Sequence, residues 1–151
     1  MSSHTVTVHW ISKDADFLRG KYSREHTWTF DGGMVVPASP SPLNVPPPYS
    51  NPAFIDPEEA LVAAASSCHL LTFLYLASQH GFQVESYRDE AVGVLDQTAS
   101  GARWVSTITL HPRITYGGRK MPTSDEESHL HQLAHEECII ANSIKATVVI
   151  E

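Results

Sequence analysis

The feature that most constrains the fold is a long stretch of chain without charge. Between Ala60 and His80 there is no Asp, Glu, Lys or Arg, and apolar residues occur all round a helical projection. A helix with no polar face must be covered on every side. We therefore expect a buried central helix, enclosed by its own sheet or by a second subunit. The stretch is long enough for a membrane span, but Ser66, Cys68 and His69 at its middle and the lack of flanking basic anchors argue against one.

The ends of this helix carry clear local signals. Asp56 can cap the N-terminus, Pro57 suits the first turn, and Glu59 completes a capping box. The helix should continue to about His80 and end at Gly81, a residue that terminates helices readily.

Composition bounds the class of protein. The 151 residues suit one globular domain, 1–151. Lys and Arg number 10 against 17 Asp and Glu, for a net charge of −7, and no basic stripe occurs. This excludes nucleic acid and anionic membranes as expected partners. The first residues alternate polar and apolar without a signal-peptide core, so we expect a cytoplasmic protein. Its two cysteines then indicate redox chemistry, metal binding or simple burial.

Polar–apolar alternation predicts strands on both sides of the central helix. A second helix is predicted over Ser124–Cys138, with Ser124 and Glu127 as its capping box. The proline-rich segment Pro37–Pro57 should form a long irregular loop. The predicted order is β-β-β-α-β-β-α-β, an α+β fold with a largely antiparallel sheet. The strands are His4–Ile11, Glu25–Phe30 with a hairpin through Asp31-Gly32-Gly33 to Met34–Val36, Val84–Leu95, Arg103–Tyr116, and a last strand over 144–150.

The candidate reactive residues are the two cysteines. Cys68 lies in the middle of the central helix and Cys138 near the end of the second, and each could be simply a small buried hydrophobe. The spacing of His131, His135 and Cys138 places all three on one helix face, which suits zinc, although closed zinc sites usually draw ligands from two elements. No serine-hydrolase turn or phosphate-binding glycine loop is present.

Two segments resemble the cysteine motifs of the OsmC/Ohr family of small thiol-dependent peroxidases. The segment that resembles the first motif is Asp56-Pro57-Glu58-Glu59-Ala60-Leu61, followed by Ser67-Cys68. The segment that resembles the second motif is Ala134-His135-Glu136-Glu137-Cys138, followed by Asn142-Ser143. The order of elements is also similar, so the resemblance covers nearly the whole chain. The chain departs from the family at Ile139, where proline is usual, and in lacking glycines before its candidate arginine.

The resemblance implies an intertwined homodimer, an organic hydroperoxide substrate and an external dithiol reductant, with no cofactor and no metal. Cys68 matches the peroxidatic cysteine and Cys138 the resolving cysteine. Glu58 matches the acidic residue of the active site. Arg24, seven residues before Asp31, is our choice for the family's arginine, with Arg19 as the alternative.

These residue types suit peroxide chemistry. Burial alone would raise the pKa of a thiol, whereas a neighbouring guanidinium favours the thiolate and can donate to the peroxide oxygens. Glu58 would hold Arg24 through a bidentate ion pair. Cys138 would condense with the sulfenic acid formed on Cys68 to give a disulfide.

One geometric difficulty accompanies this scheme. Glu58 and Cys68 are ten residues apart, about 15 Å along a continuous helix and about 80° apart in direction. Either the helix breaks between them or Glu58 serves the site of the other subunit.

Two other functions compete with the peroxidase. The same fold could be a non-catalytic module that binds a hydrophobic ligand in an apolar pocket. A metal-binding protein built on His131, His135 and Cys138 is the third hypothesis.

Overall fold

The computed structural model describes residues 1–13 and 16–151. The chain forms two compact units, Met1–Ala60 and Leu61–Glu151. The single domain expected over residues 1–151 stays a prediction.

The first unit is built on a three-stranded antiparallel sheet in the order β1-β2-β3. The strands are β1 (Val6–His9), β2 (His26–Phe30) and β3 (Val35–Ala38), with a short 3-10 turn at Phe17–Arg19. The hairpin predicted after Phe30 is confirmed. From Ser39 to Asp56 the chain contains turns and no named helix or strand, as its prolines predict.

Helix α1 (Pro57–Gln79) begins and ends as its local sequence predicts. The N–H of Glu59 donates to Asp56 Oδ1 over 2.8 Å, and the N–H of Asp56 donates to Glu59 Oε2 over 3.2 Å, which forms the capping box. Gly81 follows the helix with a φ of 76°, a left-handed conformation that glycine adopts without steric cost. The Lys120 ammonium donates to the carbonyl of His80 over 2.6 Å at this end.

The chain alone covers only part of α1. Its buried residues recur on one face and are Ala65, His69, Phe73, Leu76 and Ala77, whereas Leu71 is 64% and Tyr75 60% exposed. Enclosure by the helix's own sheet on every side is therefore wrong, and cover by a second subunit stays a prediction. By length and hydropathy α1 also meets the criterion for a membrane span, which is weak evidence because core helices of soluble proteins meet it too.

The second unit has four strands where the sequence predicts two long ones. They are β4 (Gln83–Asp89), β5 (Val92–Gln97), β6 (Arg103–Leu110) and β7 (Pro112–Gly117), and β4 pairs with β7 while β5 pairs with β6. The Asp89 carboxylate accepts from the N–H of His111 over 2.7 Å and from the Ser66 hydroxyl over 2.5 Å. The bond with His111 joins the two points at which the strands break, and the bond with Ser66 joins them to α1.

The remaining elements complete an α+β fold. Helix α2 (Ser124–Glu137) is capped by Thr123 with Glu126, one residue earlier than predicted, so the Ser124–Glu127 box is wrong. Strand β8 (Thr147–Ile150) pairs in parallel with β6, whereas every other named strand pair is antiparallel. The observed order is β-β-β-α-β-β-β-β-α-β, which corrects the predicted β-β-β-α-β-β-α-β.

Two apolar clusters form the core of the second unit. One surrounds Phe73 and Leu130, and the other surrounds Ile108 and Leu110, all four of which are almost completely buried. Strand β5 approaches α1 at Gly93, where a Cβ atom would lie 2.5 Å from Cγ2 of Val62. The close packing of strand on helix at this point requires glycine.

Candidate functional site

The second unit brings the two cysteines into contact. Cys68 is half-buried in the middle of α1, and Cys138 is only 2% exposed at the C-terminal cap of α2. The thiol groups of the two residues lie close enough to interact, and both cysteines are free. Two thiols placed so close together are candidates to form a disulfide with each other.

The surroundings of Cys138 favour its neutral thiol. Burial raises the pKa of Cys138, and the contact with Cys68 raises it further. The N–H of Ala141 donates to Cys138 Sγ over 3.4 Å, and this bond, with one from Ile140, opposes the rise in pKa. The main-chain donors would stabilise a thiolate if one formed during a reaction.

A buried histidine pair lies across the same two helices. His69 is 1% exposed, and its Nε2 lies 3.0 Å from Nδ1 of His131, with the two rings stacked at 5.3 Å and 7° between planes. Burial, together with His131 and His135, lowers the pKa of His69 to about 4, although Asp89 acts in the opposite direction. Burial also lowers the pKa of His131. Both imidazoles are therefore neutral at neutral pH.

The zinc hypothesis does not find support in this arrangement. Among residues 1–13 and 16–151 there is no group of three His, Cys, Asp or Glu side chains placed to hold a metal ion. His131 instead uses its Nδ1 in the bond with His69, while Cys138 contacts Cys68. Helical spacing places the three predicted ligands on one face of α2, but His131 and Cys138 each interact with a different residue of α1 and do not converge on one point.

The first unit contains a cavity of about 520 Å³ that both Arg24 and Glu58 line. Its volume falls in the range of small-molecule sites, about 300–1,000 Å³. Arg19, the alternative arginine, is exposed at the end of the 3-10 turn and does not line the cavity. The other lining residues are mainly apolar and aromatic: Val8, Trp10, Phe17, Tyr22, His26, Pro40, Asn44 and Pro57.

Arg24 is held by main-chain carbonyls and an aromatic ring. Its guanidinium donates to the carbonyl of Tyr22 over 3.0 Å and to that of Gly20 over 3.4 Å, and its Cζ lies 4.0 Å from the centre of the Tyr22 ring. Glu58 accepts from Asn44 Nδ2 over 3.1 Å. Within the described part of one chain Arg24 and Glu58 form no ion pair, and a pair between two subunits stays a prediction.

The question of a break in the central helix is answered within α1 itself. The helix is continuous from Pro57 to Gln79, so the alternative in which it breaks between Glu58 and Cys68 is wrong. A ten-residue separation then corresponds to about 15 Å along the axis. That Glu58 contributes to the site of the partner subunit stays a prediction.

Sequence reasoning missed the aromatic wall of this cavity. The rings of Trp10, Phe17 and Tyr22 pack against one another with centroids 4.6 to 5.8 Å apart. Alternation assigned Trp10 to a strand, and no pattern in the sequence indicated that its ring meets those of Phe17 and Tyr22. The His69–His131 pair was also missed, although a histidine inside a charge-free helix requires a buried partner.

Fold and site together define a small α+β protein with a contacting pair of free cysteines. A family model described as OsmC-like protein matches residues 50–151. A solved OsmC-like protein of unknown function from Vibrio cholerae is 47% identical, with 100% of this chain and 99% of that chain covered and a TM-score of 0.97. The chain belongs to the OsmC-like protein family, and the predicted resemblance is confirmed.

More distant structures share the fold. An organic hydroperoxide resistance protein OsmC from Legionella pneumophila is 16% identical, covering 100% of this chain and 95% of that chain with a TM-score of 0.72. The organic hydroperoxide resistance protein OhrB of Bacillus subtilis is 17% identical, covering 99% and 96% with a TM-score of 0.65. Comparison with curated protein sequences gives no match.

Proposed function

We propose that this protein is a thiol-dependent peroxidase that reduces organic hydroperoxides through Cys68 and Cys138. Membership of the OsmC-like family indicates a role in peroxide or stress response. The observation that carries the proposal is the contact between two free thiols contributed by the two helices. Two relatives of the same fold are named organic hydroperoxide resistance proteins, which suggests the substrate class.

In the first step Cys68 acts as the nucleophile. Its thiolate attacks the distal peroxide oxygen, the O–O bond breaks, and the alkoxide takes a proton to leave as the alcohol. The sulfur keeps one oxygen as a sulfenic acid, so the peroxide is reduced by two electrons while Cys68 is oxidised by two. Cys68 suits this role because it is the more exposed of the two thiols.

In the second step Cys138 resolves the sulfenic acid. Its sulfur attacks Sγ of Cys68, the S–O bond breaks, and the Cys138 proton and the hydroxyl leave as water. The N–H groups of Ile140 and Ala141 at Cys138 Sγ would stabilise its developing negative charge. An external dithiol then reduces the disulfide by exchange and is itself oxidised.

We assign Arg24 and Glu58 to substrate binding and thiolate activation. A guanidinium beside Cys68, in the same or the partner subunit, would favour the thiolate and donate to the peroxide oxygens. The support for this assignment is that Arg24 lines a largely apolar cavity together with Glu58, whereas Arg19 does not. An organic hydroperoxide needs such a cavity for its hydrocarbon part.

The proposal includes a cytoplasmic homodimer. Leu71 and Tyr75 of α1 are largely exposed in one chain, and a second copy could cover this apolar face. A permanent dimer would bury more than about 2,000 Å². Light scattering at micromolar concentration should give twice the chain mass, and a monomer would refute this part.

The experiment that tests the peroxidase proposal is stoichiometric. Reduced protein is mixed with one equivalent of tert-butyl hydroperoxide, and the remaining peroxide and the thiol content are measured together. We expect one peroxide consumed for each pair of thiols lost, with a Cys68–Cys138 disulfide in the peptide map. Added dithiothreitol should then restore both thiols and allow turnover. Peroxide that persists with both thiols intact would refute the proposal.

A binding module for a hydrophobic ligand is the second candidate. The largely apolar cavity of about 520 Å³ favours it, because such a cavity holds a ligand whether or not chemistry follows. This function predicts tight binding of the alcohol product of the hydroperoxide without any consumption of the hydroperoxide. The stoichiometric experiment therefore separates the two candidates.

A further inference from the structure

We infer that His26 is a positioning residue that fixes the main chain of Arg24 in a single place through one defined tautomer, with Trp28 as its anchor. The inference rests on the proposed function for its consequence in catalysis. The hydrogen bonds that carry it belong to the first unit alone and stand independently of that function.

The two hydrogen bonds of His26 determine where its proton lies. The indole N–H of Trp28 lies 3.0 Å from His26 Nε2, and an indole nitrogen can only donate. Nε2 must therefore be the unprotonated nitrogen. His26 Nδ1 lies 2.8 Å from the carbonyl oxygen of Arg24, which can only accept. Nδ1 must therefore carry the proton, and His26 is the neutral Nδ1–H tautomer.

The anchor of this arrangement is rigid. His26 and Trp28 are neighbours on one face of β2, because residues two apart in a strand point to the same side. Trp28 pairs with Val8 of β1 and with Val36 of β3, so it belongs to the central strand of the sheet. The two hydrogen bonds that link Trp28, His26 and Arg24 thus fix Arg24, which precedes β2, relative to the sheet.

Arg24 is held at both of its main-chain groups. Its carbonyl accepts from His26, and its N–H donates to the carbonyl of Tyr49 over 3.1 Å. The guanidinium then binds carbonyls of the preceding loop and the Tyr22 ring, all of which are close in sequence. These partners belong to the segment before β2, so the bond from His26 is the side-chain bond that joins Arg24 to the sheet, in addition to the main-chain bond with Tyr49. His26 also lines the same cavity as Arg24.

The tautomer is tested by NMR on the full chain labelled with ¹⁵N. We expect the Nδ1 of His26 to show a protonated-nitrogen shift and Nε2 an unprotonated one at neutral pH. The indole N–H signal of Trp28 should shift upfield in His26→Phe and stay near its original position in His80→Asn. His80 is a matched control, because its Nδ1 also lies 2.8 Å from a main-chain carbonyl, that of Leu76. An Nε2–H tautomer of His26 would overturn the inference.

The consequence for catalysis is tested by rescue and by a double-mutant cycle. His26→Phe should lower kcat/KM for tert-butyl hydroperoxide about tenfold, the scale expected when a reacting group loses its fixed position. His26→Asn should recover most of this loss, because its side-chain amide can donate to the Arg24 carbonyl from the place of Nδ1. In an Arg24→Met background His26→Phe should have no further effect, since both changes act through the same guanidinium.

The outcomes separate this inference from the proposed function. Additive effects of His26→Phe and Arg24→Met, or a His26→Asn variant as impaired as His26→Phe, would show that His26 does not act through Arg24 and would overturn the inference. Absence of hydroperoxide consumption by the wild type would instead refute the proposed function. In that case the tautomer of His26 measured by NMR would by itself support or overturn the inference that His26 fixes the main chain of Arg24.

Discussion

The two cysteines lie in contact, but the helices that carry them differ in almost every respect. Helix α1 has no charged side chain after Glu59, and it places Cys68 at its middle with partial exposure. Helix α2 is charged and amphipathic, and it places Cys138 at its last turn with almost none. The position of each cysteine on its helix thus determines how exposed it is, and the result is the opposite of what the hydropathy of the two helices would suggest. The accessible thiol is on the apolar helix and the protected thiol on the polar one.

This difference suggests a division of labour between the thiols. A nucleophile must be reached by its substrate, whereas a resolving thiol needs to reach only its neighbour. Burial raises the pKa of Cys138 and so favours its protonated thiol, which suits the proposed resolving role.

Removal of the nucleophile should have the largest effect. Cys68→Ser should lower the rate of hydroperoxide consumption at least about 1,000-fold, because a serine hydroxyl is a poor nucleophile without a base to activate it. The remaining hydroperoxide is measured after rapid mixing. Consumption at the wild-type rate by Cys68→Ser would reverse the assignment of the two cysteines.

Removal of the resolving thiol should instead stop the reaction halfway. Cys138→Ser should consume one equivalent of hydroperoxide and then accumulate a sulfenic acid on Cys68, since no internal thiol remains. Mass spectrometry after treatment with dimedone detects the trapped species. A Cys138→Ser protein inert to the first equivalent would contradict the division of labour.

Alkylation of the reduced wild type should distinguish the thiols without peroxide. Iodoacetamide at neutral pH should modify Cys138 at least about tenfold more slowly than Cys68, because burial limits access and disfavours the thiolate. Peptide mapping over time gives both rates. Raising the pH should bring the alkylation rates of Cys68 and Cys138 closer together. Equal rates at neutral pH would contradict the proposed difference between the two thiols.

Acid should weaken the contact between the helices through the buried histidine pair. Burial and its histidine neighbours hold the pKa of His69 at about 4, against 6.5 in the unfolded chain, so the unfolded state binds the proton first. The contribution of His69 to stability is complete above pH 6.5 and is lost as pH falls from 6.5 towards 4. We expect a loss of about 2 kcal/mol over this range, after allowance for solvent screening.

Urea unfolding at a series of pH values measures this effect. The wild-type curve should decline between pH 6.5 and 4, and His69→Gln should flatten that decline. His129→Gln, which removes an exposed histidine of α2, serves as the control and should keep the wild-type slope. An unchanged slope in His69→Gln would show that the pair does not report on the helix contact.

The sequence allowed prediction of those features that depend on local chemistry. The start and end of α1 were correct because Asp56, Glu59 and Gly81 act within one turn of the chain. The breaks between β4 and β5 and between β6 and β7 were missed because the bonds to Asp89 come from Ser66 and His111, which are far away in sequence.

The candidate site followed the same rule. The resemblance to two cysteine motifs indicated both cysteines, and the structure places them close to each other. The Arg24–Glu58 pair does not form within one chain because each residue binds a different partner there, namely loop carbonyls for Arg24 and Asn44 for Glu58. Such choices depend on which groups tertiary folding brings near, and spacing along the chain carries no information about them.

The contact between Gly93 and Val62 has a consequence for how sequences of this type can diverge. A Cβ at position 93 would meet the stiff, β-branched side chain of a helical valine. Residues 62 and 93 therefore share one volume, and drift at either position is conditional on the other. A larger residue at position 93 therefore requires a smaller residue than valine at position 62. Lineages that hold valine at 62 are confined to glycine at 93 for as long as the helix carrying Cys68 keeps its distance from the sheet.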